Sequence, residues 1–135
     1  MTQVASLILE NKKGEVLLFL RDDKEGLPYP NSWDLIGGTA DRGESVKEAL
    51  VREVKEEAGH DVQEYTFFKK YVVLEEDGSS SEKFVFYSIT DKVFEDFILG
   101  DEGQKLQFFL LEDALKLKLA SSHKDILKDY IAAKH

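Results

Sequence analysis

The sequence predicts an α+β fold: a mixed β-sheet with helices on its faces, in one domain. Three observations predict it. Strand-like runs open the chain and return between residues 65 and 111. A helical period runs through the centre, from Ser45 to Ala58. Two further helical stretches follow the last strand.

Val4 to Glu10, rich in Val, Leu and Ile, reads as the first strand. Asn11 to Gly14 turns it, with glycine suited to positive φ. Val16 to Arg21 is the second strand, and the two read as a hairpin. Asp22 to Asn31 is a polar loop holding Pro28 and Pro30. Trp33 to Ile36 is short and apolar and leads into Gly37-Gly38, read as a tight turn. At about 100° per residue, Val46, Leu50, Val54 and Ala58 share one stripe of the central helix. Glu53, Glu56 and Glu57 take the sector beside it, and Gly59 is the stop. Such a helix docks by its apolar stripe and turns its acidic sector to a cleft. Tyr65 to Glu75 reads as a long strand, and Asp77-Gly78-Ser79 turns it. Lys83 to Thr90 returns antiparallel, with Ser79 to Ser81 left as turn. Val93 to Leu99 has no decided pattern. Lys105 to Leu111 reads as a late strand; Leu111 to Leu119 and His123 to Ala133 read as helices.

Composition narrows the class. A chain of 135 residues supports one domain, 1–135, with a real core. With 42% hydrophobic and 11% aromatic residues it is globular rather than disordered. The absence of cysteine excludes disulfides and any cysteine-held zinc or iron–sulfur site, and it suits the cytoplasm. No apolar run approaches membrane-spanning length, and the first residues lack the pattern of a signal peptide. A net charge of −9 repels DNA and long RNA. A small phosphorylated ligand remains compatible once metal ions neutralise it locally.

The chemistry concentrates between Gly38 and His60. Glu53, Glu56 and Glu57 are neighbours on a helix surface, where each like-charge pair costs about 0.2–0.5 kcal/mol. A hard divalent cation would relieve that repulsion and keep waters that phosphates can replace. The plainer alternative is a solvated acidic face beside Lys47 and Lys55.

The flanking residues decide between them. Gly38, Glu44, Arg52, Glu53, Val54, Glu56, Glu57 and Gly59 fall in the spacing G-x5-E-x7-R-E-U-x-E-E-x-G-U, with U a bulky aliphatic residue. This resembles the Nudix box. Only the last position departs, with His60 in place of an aliphatic residue and Val62 two residues on. Ile36 stands where family members often carry proline. Trp33 before the glycines, the strand-rich start and the C-terminal helix also resemble a single-domain Nudix protein, closest in pattern to the MutT-like branch.

The resemblance implies a Nudix fold and a Mg²⁺- or Mn²⁺-dependent pyrophosphohydrolase. Its substrate would be a nucleoside diphosphate linked to a group X, first of all a nucleoside triphosphate. A nucleotide sugar or dinucleotide is the alternative, and a non-catalytic nucleotide-binding module is a third reading. Glu53, Glu56, Glu57 and the Gly38 carbonyl would hold the metal, with Gly37 shaping the backbone. Glu44 would orient the loop or pair with a base on the helix, and Arg52 would hold the glutamates as an ion-pair partner. MutT-like proteins carry a Glu-Gly-Gln well after the box, matched here by Glu102-Gly103-Gln104. Glu102 is therefore the candidate extra carboxylate, for metal and water, against Glu75, Glu76 and Asp101. Arg21 is a candidate phosphate ligand or else a surface ion pair. Trp33 is a candidate base-stacking residue, while Phe67, Phe84 and Phe86 read as core. His123 stands near the position where MutT-like enzymes place a base-reading asparagine; its plainer reading is a helix-start histidine paired to water or Asp125. A small nucleotide is the expected partner, and many relatives dimerise.

Overall fold

A computed structural model describes residues 1–134. Six strands form one sheet: β1 (Thr2–Asn11), β2 (Glu15–Leu20), β3 (Trp33–Thr39), β4 (Thr66–Leu74), β5 (Ser80–Thr90) and β6 (Lys105–Leu110). Their spatial order is β4-β5-β1-β3-β2-β6. β1 and β5 run parallel from Thr2↔Ser81 to Asn11↔Thr90, and the other pairs are antiparallel. The sheet is therefore mixed, and the fold is α+β.

Period-2 alternation gives the sheet two apolar faces. Ala5, Leu7, Leu9, Leu17, Phe19 and Ile36 form one, covered by α1 (Val46–Ala58) through Ala49, Leu50, Val54 and Ala58. Ile8, Val16, Leu18, Leu35 and Val85 form the other, covered by α3 (His123–Ala133) through Ile126, Leu127 and Tyr130. Leu50, Leu127 and Ile126 are fully buried, each such side chain contributing about 1.5–3 kcal/mol. α2 (Leu111–Ala114) is a single turn beside α3's core. No described helix is long and apolar enough to cross a membrane.

α1 is fixed at both ends. The Ser45 hydroxyl accepts from the Glu48 N–H at 3.1 Å, and the Glu48 carboxylate accepts from the Ser45 N–H at 2.9 Å. Gly59 closes the helix in the left-handed region, φ 65°. Past it, His60 is buried against the Phe97 ring, 5.5 Å between centroids, and Val62 joins the α1 core.

Four expectations are corrected. β1 and β2 are not a full hairpin: they pair only at Glu10↔Val16, and β3 wedges between them. Gly37 and Gly38 lie inside β3, opposite Ser6 and Ala5, rather than in a turn. Their lack of side chains serves close approach: a Cβ on Gly37 would strike the Ala5 carbonyl, and one on Gly38 would strike the Glu53 side chain. Ser80 and Ser81 already belong to β5. The helix expected over Leu111 to Leu119 stops at Ala114. Beyond it the chain is drawn out to bridge β3, with Trp33 N–H donating to Lys118 O and Ala120 N–H to Trp33 O, both at 2.8 Å. Within the undecided stretch, Phe94–Asp96 forms a 3-10 turn.

Candidate active site

α1 crosses beneath the C-terminal half of β3, so its acidic sector meets the two glycines. The Gly37 N–H donates to Glu57 Oε1 at 2.8 Å. That bond places Glu57 in the wall of a cleft of about 440 Å³. Gly37, Gly38, Glu53 and Glu102 line the same end. Burial pushes the Glu57 carboxyl well above its ordinary range, against the Gly37 bond, with Asp34, Glu53 and Glu102 adding repulsion. Burial also pushes Glu53 up; Arg52 opposes, while Glu56 and Glu102 add to the rise. Glu56 is more exposed and lines an adjoining hollow of about 380 Å³ with Glu53, Glu57, Gly100, Asp101 and Glu102.

Arg52 organises this acidic face. Its Nε and Nη2 meet the two oxygens of Glu44 at 2.8 and 2.9 Å. Nη1 reaches Glu53 at 2.8 Å and Glu56 at 3.3 Å, and Nη2 also reaches the Thr39 carbonyl at 3.2 Å. The Arg52 hydrogen bond holds the Glu44 carboxyl down to about 2, and the Asp41 N–H contributes. Glu44 and Arg52 therefore act behind the cleft, tying the loop before α1 to the helix.

The loop bearing Glu102 is pinned across from them. Gly103 N–H donates to Asp22 Oδ2 at 3.2 Å, and the Gln104 side chain donates to Arg21 O and Asn31 Oδ1 at 2.8 and 2.9 Å. Gly103, at φ 86°, presses on the Phe19 ring where a Cβ would not fit.

Elsewhere the cleft wall mixes cations and acids. Asp34 Oδ1 lies 2.9 Å from His123 Nδ1, which the Leu35 N–H also approaches at 3.5 Å, and Asp34 Oδ2 accepts from Arg21 Nη1 at 3.2 Å. Burial alone would raise the Asp34 carboxyl; His123, Arg21 and Lys83 together hold it below its ordinary value. Arg21 Nε also donates to the Pro28 carbonyl at 2.9 Å. Glu75 accepts from the Ser121 hydroxyl at 2.8 Å, and Lys83 is almost fully buried in the wall.

The structure thus brings Arg21, Gly37, Gly38, Glu53, Glu57, Glu102 and His123 to one cleft. Trp33 does not join them: its ring packs edge-on against Phe109 at 4.8 Å, under Lys105. Phe86 is buried, but Phe67, read as core, is half exposed on the surface strand and only packs edge-on against the Phe86 ring. His123 meets Asp34 at 2.9 Å rather than Asp125. Glu75 lines the cleft as Glu102 does, whereas Glu76 is exposed and its N–H donates to the Tyr29 hydroxyl. Sequence reasoning missed Asp34, Lys83 and Ser121. Lys83 carried a signal: in K-F-V-F it shares the face of buried Val85, an unusual place for lysine.

Carboxylate oxygens crowded in this way suit a hard divalent cation. As they stand, Arg52 draws off Glu53 and Glu56 and Gly37 holds Glu57. Among the described residues no three acid or histidine groups are gathered into a finished metal cage.

Known proteins share this architecture. The MutT protein of Methanosarcina mazei Go1 superposes with a TM-score of 0.86 at 25% identity, covering 98% of this chain and 94% of that one. The ADP-ribose pyrophosphatase of Methanocaldococcus jannaschii is 31% identical over 124 residues, 92% of this chain and 70% of that protein. The nucleoside triphosphatase NudI of Salmonella agona is 34% identical over 129 residues, 85% of this chain and 88% of that protein. Fold, cleft and relatives define the class, a hydrolase of phosphoric anhydrides. A family model described as the NUDIX domain matches residues 1–130, and the chain belongs to the Nudix family.

Proposed function

We propose that the protein is a Mg²⁺- or Mn²⁺-dependent pyrophosphohydrolase of nucleoside triphosphates. The observation that carries this reading is the convergence of Glu53, Glu57 and Glu102 with Gly37 and Gly38 in a cleft that Arg21, Asp34, Lys83 and His123 also line. The acids suit a metal-bound polyphosphate, and the basic groups suit a polar, anionic nucleotide.

Glu53, Glu56, Glu57, Glu102 and the Gly38 carbonyl would hold the metal. A divalent ion held there would offset phosphate charge and favour deprotonation of the attacking water. Glu53 or Glu102 would accept the proton of the attacking water. Water adds to one phosphorus, the bridging P–O bond breaks, and its electron pair leaves with the departing phosphate group. Arg21 holds a substrate oxygen and limits its rotation. Residues 1–135 would act as one domain in the cytoplasm, a setting the absence of cysteine suits.

The relative named an ADP-ribose pyrophosphatase supports a second reading, hydrolysis of a nucleoside diphosphate joined to a sugar. One screen separates them: product release from nucleoside triphosphates, nucleotide sugars, ADP-ribose and dinucleotide polyphosphates, with Mg²⁺ or Mn²⁺. The triphosphates are expected to give the highest kcat/KM. A clear preference for ADP-ribose would overturn the first reading in favour of the second.

A further inference from the structure

We infer that the outer edge of β4 is a seam between two copies of this chain, which pair antiparallel there about a two-fold axis through Val73. The inference is independent of the nucleotide reading above.

β4 is the outermost strand of the sheet and, among the described residues, pairs only with β5. The phase of that pairing shows which backbone groups point outward. Glu75 N–H donates to Ser79 O at 2.8 Å, at the position that continues the register Leu74↔Ser80. Bonded and unbonded pairs alternate along an antiparallel ladder. Val73 and Tyr71 therefore direct their backbone groups to β5, while Leu74, Val72 and Lys70 direct theirs away from it. The same edge carries two exposed apolar side chains, Val72 at 64% and Leu74 at 74%.

Centring the pair on Val73 matches apolar with apolar and base with acid. Val72 faces the partner's Leu74, and Leu74 faces the partner's Val72. Both are outward-directed residues, so each pair exchanges N–H and C=O groups with its side chains on one sheet face. Lys70 lies level with the partner's Glu76, and the Lys69-Lys70 end of each strand meets the acidic turn Glu75-Glu76-Asp77 of the other. Moving the axis to Val72 would instead set Lys70 against Leu74. Lys70 touches Glu82 at 3.0 Å and Lys69 touches Asp129 at 3.5 Å, yet both stay about half exposed, and an ammonium has three donors. The seam is bounded at both ends. A β-bulge between Phe67 and Lys69 breaks the ladder at one. At the other, the Glu76 N–H is already taken by the Tyr29 hydroxyl at 3.1 Å. Each copy uses its single β4 edge, so the pairing closes at a dimer.

Sedimentation equilibrium in about 0.15 M salt, where charges beyond roughly 8 Å are screened, reads the mass. It should rise towards double between about 1 and about 500 µM, the weak range of a small interface. The chain has no cysteine, so one placed at Val73 can bond only its twin. Residues opposed in an unbonded antiparallel pair lie within disulfide reach. Under oxidised glutathione, Val73→Cys should cross-link at least about tenfold faster than Glu95→Cys, an exposed control. Val72→Pro removes an outward N–H and leaves the β5 ladder whole. It should abolish the mass increase and keep the melting temperature of the dilute protein within a few degrees. Val72→Lys, which leaves the backbone untouched, should have the same effect on mass and serves if the proline variant unfolds. Cross-linking at Val73 no faster than at the control overturns the inference, and marks β4 as an edge guarded by its lysines and bulge. A dimer that survives both substitutions also overturns it, since its contact lies elsewhere.

Discussion

Arg52 shows how much one side chain can organise. Its guanidinium is shared among Glu44, Glu53, Glu56 and the Thr39 carbonyl. Replacing it with Met should lower stability by about 1–2 kcal/mol, given its partial exposure, in a urea titration. The freed glutamates should cost at least tenfold in kcat, an order-of-magnitude expectation for misplaced catalytic groups. The Glu44 pair adds a pH signature. Its folded value of about 2 lies below the ordinary 4.5. Its contribution is therefore full above 4.5 and is lost as pH falls towards 2. The stability gap between wild type and Glu44→Gln should accordingly narrow on acidification through that window; a constant gap would deny the pairing. At this scale the box residues were legible because a fixed spacing names them. Asp34 was not: a lone acid after Trp33 acquires meaning only when His123, distant in sequence, folds against it.

At the scale of elements, β3 and α1 form the working unit, and their two glycines behave differently. Gly37 has φ 139° and faces the β1 backbone, which cannot yield. Gly37→Ala should cost about 2–4 kcal/mol or prevent folding. The atoms nearest a Cβ on Gly38 belong to the Glu53 side chain, which can swing aside. Gly38→Ala should melt close to wild type yet lose most turnover. Thermal melts paired with a phosphate-release assay separate the two, and equal melting losses would refute the distinction. The central helix was readable in the sequence because its apolar stripe and its Gly59 stop agree. The β1–β2 hairpin was misread because short-range pattern cannot reveal a strand that inserts later between two neighbours. The helix over Leu111 to Leu119 failed for a related reason: its second half forms backbone bonds to Trp33 that local propensity does not register.

For the whole molecule, the buried acids set opposing trends with pH. Glu53 and Glu57 have raised values, so their burden is greatest above those values and eases as pH falls through them towards 4.5. Asp34 has a lowered value, so what it contributes is lost only on further acidification, below 3.8. A cation that binds the folded carboxylates should raise the melting temperature at neutral pH. The gain should shrink near pH 5, roughly where protons begin to compete with the metal for carboxylates. Scanning fluorimetry with and without Mg²⁺ or Mn²⁺ across that range checks both; no shift at any pH would remove the proposed metal site. Sheet order has a different consequence. β1 lies at the middle of the sheet yet must wait for β5, about 80 residues further along, before its parallel edge is filled. During synthesis an apolar ribbon stays open until most of the chain has emerged. Assembly is then governed by that distant closure, on a scale of milliseconds to seconds rather than microseconds. The step most exposed to clumping with other chains is thus the birth of the sheet's own centre.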